Sequence, residues 1–169
     1  MIESVGQADV TELRNKITPE MLEACRAAGA KIAFVTLHVG LGTFAPLRES
    51  EVDKVRLHEE YFEINKGEAA KMRQAQRRIC VGTTSVRTVE TAMLRGGFDA
   101  MQGDTNLFIS PGFHFQATDA LLTNFHLPQS SLLILVSAFA GKELALTAYR
   151  HAVAQRYRFF SYGDCMLIL

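Results

Sequence analysis

The residues most able to do chemistry fall into three groups. The first is Gly82-Thr83-Thr84-Ser85, which follows the short β-branched run Ile79-Cys80-Val81 and precedes a helix carrying Arg87 in its first turn. Helix N-terminal amides, three consecutive hydroxyls and a guanidinium can each donate a hydrogen bond to carboxylate or phosphate, so together they make an anion site. The plainer reading stands beside it: Thr84 or Ser85 caps the helix, and Arg87 pairs with a surface acid. The second group is histidine. His38 ends an apolar run, His58 begins an extended one beside Glu59 and Glu60, and His126 sits in Thr123-Asn124-Phe125-His126-Leu127-Pro128. Strand ends and the loops after them are where α/β folds place chemistry, although a lone histidine is more often structural. His114 and His151 read as surface or packing residues. The third group, Gly40-Leu41-Gly42-Thr43-Phe44-Ala45, has the GxGxxA form of a dinucleotide fingerprint after a strand. That fingerprint needs a helix N-terminus aimed at the pyrophosphate, whereas Pro46 and a charged stretch follow here. A glycine turn that lets backbone approach a ligand or a neighbouring strand is the simpler account.

Other signals narrow the field. Lys71, Arg73, Arg77 and Arg78 form a basic run that could meet an RNA backbone or could be a solvated helix face. Eighteen basic residues balance eighteen acidic ones, so no bulk attraction to nucleic acid or membrane is implied. Cys25, Cys80 and Cys165 lack metal or disulfide spacing, and with no HxH or HxxxH pair no metal is expected. The nucleophile elbow GxSxG is absent. The first ten residues lack a secretory pattern and the apolar stretch Leu132 to Ala140 is too short to span a bilayer, so a cytoplasmic protein without membrane contact is expected.

These residues need elements to position them. With 169 residues, 48% of them hydrophobic, the chain can bury one substantial core. Residues 1–17 are polar and aperiodic and are expected to be irregular, with organised sequence from 18 to 169. Thr18-Pro19-Glu20 opens a helix stopped by Gly29. KIAFVTLHV predicts a strand, Thr43 to Leu47 a second extended piece, and RESEVDKVR a charged loop. His58 to Ile64 predicts a strand, Asn65 caps a helix to about Arg77, and Ile79 to Val81 a short strand. A helix is expected from Val86 to Arg95, closed by Gly96-Gly97. Strands are expected around Asn106 to Ser110 and from Ala120 to Asn124, separated by a Pro111-Gly112 turn. A helix follows from Ser130 to Ala140, Gly141 breaks it, and a second helix runs to about Tyr157. The alternation gives an α/β class with a mixed, largely parallel sheet flanked by helices.

Read in order, FVTLHVGLGTF, the HxEY at His58 to Tyr61, VGTTSVRTVE, LFISPG, LLTNFHLPQSSLLILVSAFAG and RYRFFSYGDCMLI resemble one family, the S-adenosylmethionine:tRNA ribosyltransferase-isomerases of queuosine biosynthesis. The resemblance implies transfer and isomerisation of the ribosyl group of S-adenosylmethionine onto 7-aminomethyl-7-deazaguanine in tRNA, giving epoxyqueuosine and releasing adenine and methionine. It implies S-adenosylmethionine as co-substrate and a tRNA partner. The reaction is expected to start by removal of a proton from the 5′ carbon beside the sulfonium, for which His126, His58 and Glu60 could serve. Gly40, Gly42, Thr83, Thr84, Ser85, Arg87, Asn124 and Asp164 are the expected substrate contacts. Members of the family are roughly twice as long, and a PTAGLHF segment and an inserted β-barrel domain have no counterpart here. The chain looks like the C-terminal portion of the large α/β domain: a truncated gene product, a split enzyme needing a partner chain, or a fragment with no activity, whose exposed strand edges and apolar surface would favour self-association or a complementing N-terminal chain. A module that binds tRNA or S-adenosylmethionine without turnover, and a nicotinamide dinucleotide-binding domain, are the alternatives.

Overall fold

The computed structural model describes residues 2–4, 17–40, 55, 57–99, 101–160 and 163–169. Its helices begin where short polar side chains replace missing backbone partners. Thr18 Oγ1 accepts from the Met21 amide (3.3 Å) to start α1, Pro19–Ala27; Asn65 Oδ1 accepts from Glu68 (3.0 Å) to start α2, Lys66–Gln74. Helix α3, Thr83–Leu94, is different: Gly82, at φ 84°, is its cap, with no side-chain cap bond. The expected start at Val86 is therefore three residues late. Neither Thr84 nor Ser85 caps α3, because both already lie within it.

Among the described residues, seven strands form two sheets. In the larger, β1 (Ile2–Ser4) pairs in parallel with β2 (Val35–Leu37), which pairs antiparallel with β3 (Glu60–Ile64), which pairs antiparallel with β5 (Met101–Thr105). The smaller has β4 (Ile79–Val81) parallel to β6 (Ala120–Asn124), and β7 (Cys165–Ile168) antiparallel to β6. The α/β class stands, but the single, largely parallel sheet becomes two mixed ones in which antiparallel pairings are the more frequent. Strand β1 lies inside the segment expected to be irregular. The extended piece at 43–47 and most of the charged loop lie outside the described residues.

The strand expected at Asn106 to Ser110 is instead at Met101–Thr105. Ile109 is buried, but 106–110 runs as unpaired chain; the polar MQGDT carries the ladder to β3. Gly103 opposes Phe62 and has φ 154°, and a Cβ there would lie 2.9 Å from Arg95 Nη1. The Arg95 guanidinium sits 5.1 Å from the Phe62 ring centre and donates to the Asp104 carbonyl, so it straps β5 onto β3.

Helix α3 ties the two sheets together by packing against β2, β4, β5 and β6. Nine of its residues are buried, among them Arg87 and Glu90. Helices α4 (Ser131–Ala140) and α5 (Lys142–Ala154) meet at Gly141 (φ 84°) with a bend of 117°. The core centres on Leu37, Phe62, Ile64, Val86, Ile109, Leu121, Leu135 and Val136. Among the described residues, no single helix is long and apolar enough to cross a membrane.

Candidate functional site

The parallel pair β4 and β6 fixes where the candidate loops emerge. Val81 lies opposite Leu122, and the Gly82 amide donates to the Leu122 carbonyl at 2.8 Å, so both strands end at the same edge. Gly82-Thr83-Thr84-Ser85 leaves β4 there, and Asn124-Phe125-His126 leaves β6 beside it. Strand β7 runs the other way, so Cys165 faces Asn124 and Asp164 joins the same edge; Asn124 Nδ2 donates to the Asp164 carbonyl at 3.2 Å. The carboxyl ends of adjacent parallel strands are the usual ligand crevice of α/β sheets.

Within this edge Thr83 and Ser85 are buried and Thr84 is half-buried. The Ser85 hydroxyl donates back to the Val81 carbonyl (2.7 Å), and Thr88 donates to the Thr84 carbonyl (3.0 Å). With Gly82 as the cap, the first amides of α3 have no side-chain acceptor. Asp164 closes its own loop, accepting from the Arg158 amide at 2.6 Å and lying 3.5 Å from the Arg158 guanidinium.

His126 is 7% exposed. Its Nε2 lies 3.1 Å from Thr123 Oγ1, and its backbone amide donates to the Tyr149 hydroxyl at 2.9 Å. Burial pushes the imidazole from the ordinary 6.5 down to about 4, so the ring is neutral at physiological pH. Burial likewise raises the Tyr149 hydroxyl to about 12. Phe125 stacks against Tyr149, Tyr157 and Phe159 with ring centres 5.3, 5.7 and 5.4 Å away. The Phe160 amide donates to the Phe125 carbonyl at 2.7 Å, which joins the 156–160 segment to the histidine loop. The described non-glycine residues with positive φ are Gln129, Arg156 and Phe160, all on these two touching segments. Such conformations cost about 1–3 kcal/mol each and gather where a structure constrains functional groups.

Arg87 and Glu60 form a second group, one helical turn into α3. Strand β3 alternates buried and exposed positions, so Glu60 shares the inward face of Phe62 and Ile64. Its carboxylate accepts from the Arg87 Nη1 and, through Oε1, from the Gly40 amide at 2.8 Å. Arg87 Nε donates to the Leu107 carbonyl at 3.1 Å. The side chains of this ion pair are 3% and 1% exposed. Arg87 thus meets a buried acid rather than a surface one. His58 is exposed two residues before Glu60, and Gly42 lies outside the described residues. Of the dinucleotide-like stretch only Gly40 is described, and its amide faces Glu60.

The basic run is largely paired with its own surroundings at the surface. Lys71 pairs with Glu68 and the Ile32 carbonyl, Arg73 with Asp99 and the Phe98 carbonyl, and Arg78 with Asp119 and the Met72 carbonyl. Two residues that sequence reasoning missed support the site. Tyr149 holds the His126 amide. Glu90, fully buried on α3, accepts from the amides of Gln116 and Ala117 and from the Thr118 hydroxyl (2.9, 3.0 and 2.8 Å), fixing the approach to β6. The position of Glu90 three residues after Arg87 was the available signal. Among the described residues no cluster of three or more His, Cys, Asp or Glu side chains could hold a metal ion.

The chain is similar in sequence and fold to known proteins. The family model described as queuosine biosynthesis protein matches residues 14–168. The S-adenosylmethionine:tRNA ribosyltransferase-isomerase of Solibacter usitatus is 59% identical over 152 residues, covering 90% of this chain and 42% of that protein. The protein of the same name from Thermotoga petrophila is 50% identical over 156 residues, covering 90% and 47%. The crystal structure of S-adenosylmethionine tRNA ribosyltransferase from Thermotoga maritima superposes with a TM-score of 0.76 at 45% identity, covering 90% of this chain and 50% of that one. The chain thus spans about half the length of the relatives it matches. A match over nearly the whole chain, with the same fold, means that it belongs to the queuosine biosynthesis protein family.

Proposed function

We propose that this chain supplies one wall of the active site of an S-adenosylmethionine:tRNA ribosyltransferase-isomerase, acting on 7-aminomethyl-7-deazaguanine in tRNA. The observation that carries the reading is the meeting of Gly82 to Ser85, Asn124, His126 and Asp164 at the carboxyl ends of β4 and β6. The uncapped amides of α3 suit the methionine carboxylate or a tRNA phosphate.

His126 is the proposed base. Its neutral ring takes a proton from the 5′ carbon of S-adenosylmethionine, leaving a sulfonium ylide with no net charge and an imidazolium that carries the positive charge. A buried imidazolium is costly by itself, but here one cation replaces another, so the net charge of the site does not change. Glu60, held by Arg87 and the Gly40 amide, is a fixed buried counter-ion that orients Arg87 rather than a mobile base. Free Cys25, Cys80 and Cys165 suit a reducing cytoplasm. Exposed Ile79 on β4 and Leu167 on β7, at the two outer strands of the smaller sheet, suit docking of a complementing segment or a second copy.

Adenine release from S-adenosylmethionine, measured with tRNA bearing the deazaguanine precursor, tests the reading. The chain is assayed alone and with the part of the Thermotoga relative that has no match here. Turnover in the pair and little in the chain alone is the expected result. Binding of S-adenosylmethionine without adenine release in either case would favour a binding module, and binding of a nicotinamide dinucleotide instead would overturn both.

A further inference from the structure

The surroundings of His126 are more specific than a strand-end loop requires. The imidazole and the backbone of this one residue are each held by a different side chain from a different element: Thr123 of β6 on the ring, Tyr149 of α5 on the amide. Among the described residues the other ring nitrogen, Nδ1, has no hydrogen-bond partner, and it is not among the fully buried polar atoms. Ser130 adds a third tie, donating to the Leu127 carbonyl (2.8 Å) while its oxygen accepts from the Leu133 amide (3.2 Å), so the loop is anchored to α4 as well.

We infer that Thr123 and Tyr149 are positioning residues that set His126 as a base acting through Nδ1. The inference rests on the role proposed above for His126. A neutral imidazole carries one proton, and the nitrogen that accepts another must be the bare one. In the inferred tautomer Nε2–H donates to Thr123 Oγ1, which leaves the lone pair on Nδ1, the nitrogen that no described group holds. The proton leaving the 5′ carbon then goes to Nδ1, and Nε2–H keeps its bond to Thr123 throughout. Tyr149 acts on the other half of the residue. Its hydroxyl satisfies an amide that would otherwise be buried without an acceptor, and the Phe125 and Phe159 rings pack against its own ring (centres 5.3 and 5.8 Å away), so the loop has little freedom to tilt. A base misplaced by about 1 Å loses on the order of a hundredfold in rate, which is why a residue of this kind needs two holders.

The test reads the ring directly. In the full 169-residue chain labelled with nitrogen-15, long-range proton–nitrogen spectra report which ring nitrogen of His126 carries the proton, with exposed His151 as internal reference. The wild type should show the Nε2–H form. Thr123→Val should mix in the Nδ1–H form and Thr123→Ser should restore the original, while Tyr149→Phe should speed exchange of the His126 amide by about tenfold or more. A wild-type Nδ1–H ring, or a Thr123→Val spectrum identical to wild type, overturns the inference. Adenine release in the supplemented assay separates this inference from the reading beneath it. If His126→Ala keeps full turnover, the proposed base is wrong. If His126→Ala is inactive while Thr123→Val and Tyr149→Phe keep wild-type kcat, His126 stands and the positioning role falls. A lower kcat in both, with an unchanged KM for S-adenosylmethionine, is the expected result.

Discussion

Replacing Arg87 by alanine should unfold the protein more readily than any loss of a surface contact would. The guanidinium is 3% exposed and its partner, the Glu60 carboxylate, 1% exposed. Removing one member of a buried, hydrogen-bonded pair costs about 3–5 kcal/mol, because the remaining charge stays buried without its counter-ion. For a chain of this size, each kcal/mol moves the melting temperature by about 2–4 °C, so Arg87→Ala should melt roughly 6–20 °C lower. Glu60→Leu alone should cost a similar amount. The double variant Glu60→Leu/Arg87→Met removes both charges and replaces them with apolar volume, so its loss should be well below the sum of the single losses. Urea unfolding of wild type, Glu60→Leu, Arg87→Met and the double variant, followed by circular dichroism, closes this cycle, with Arg87→Ala measured beside it. A loss below about 1 kcal/mol for Arg87→Ala, or strictly additive losses, would refute the buried pair; Arg87 would then be available to an outside anion, as the first reading of Gly82 to Arg87 allowed.

Three further outcomes are expected. Glu90→Gln should cost about 1–3 kcal/mol and deprotect the Gln116 and Ala117 amides in hydrogen exchange, since the amide side chain cannot accept from all three donors that meet the carboxylate; unchanged protection would show that Glu90 does not hold this loop. His126 is protonated near 6.5 when unfolded and near 4 when folded, so below pH 6.5 the unfolded chain binds the extra proton and stability falls, by about 3 kcal/mol once pH reaches 4. His126→Asn should flatten that part of the stability–pH curve, and an unchanged slope would mean that His126 is not the buried titrating group. His126→Ala should reduce turnover of the supplemented enzyme by about a hundredfold or more, whereas exposed His151→Ala should be nearly neutral; equal losses would remove His126 from the mechanism.

Local chemistry was legible in the sequence, and long-range pairing was not. Thr18, Asn65 and Ser130 announce their helices because a cap bonds an amide three residues away. The position of His126 after β6 was readable because the apolar run and Pro128 bracket the loop. Gly82 hid the start of α3, since it caps through backbone conformation and carries no side-chain signal. Strand β5 was misplaced because MQGDT lacks apolar alternation, while the neighbouring LFIS has the composition of a strand and none of its pairing. The inward alternation of Glu60, Phe62 and Ile64 could have shown that Glu60 needs a buried partner. Nothing local could have chosen Arg87, since the partners are 27 residues apart and meet only once α3 lies against the larger sheet. The division into two sheets likewise depends on α3 packing between them.

The placement of the site at the carboxyl ends of β4 and β6 is tested most directly by titrating S-adenosylmethionine into the nitrogen-15-labelled chain and mapping the amide shifts. The account predicts shifts concentrated in Gly82 to Arg87, Asn124 to His126 and Asp164, with Lys71 to Arg78 unmoved. Shifts confined to the α2 segment or to Gly40, or no change at millimolar ligand while the supplemented enzyme releases adenine, would contradict it.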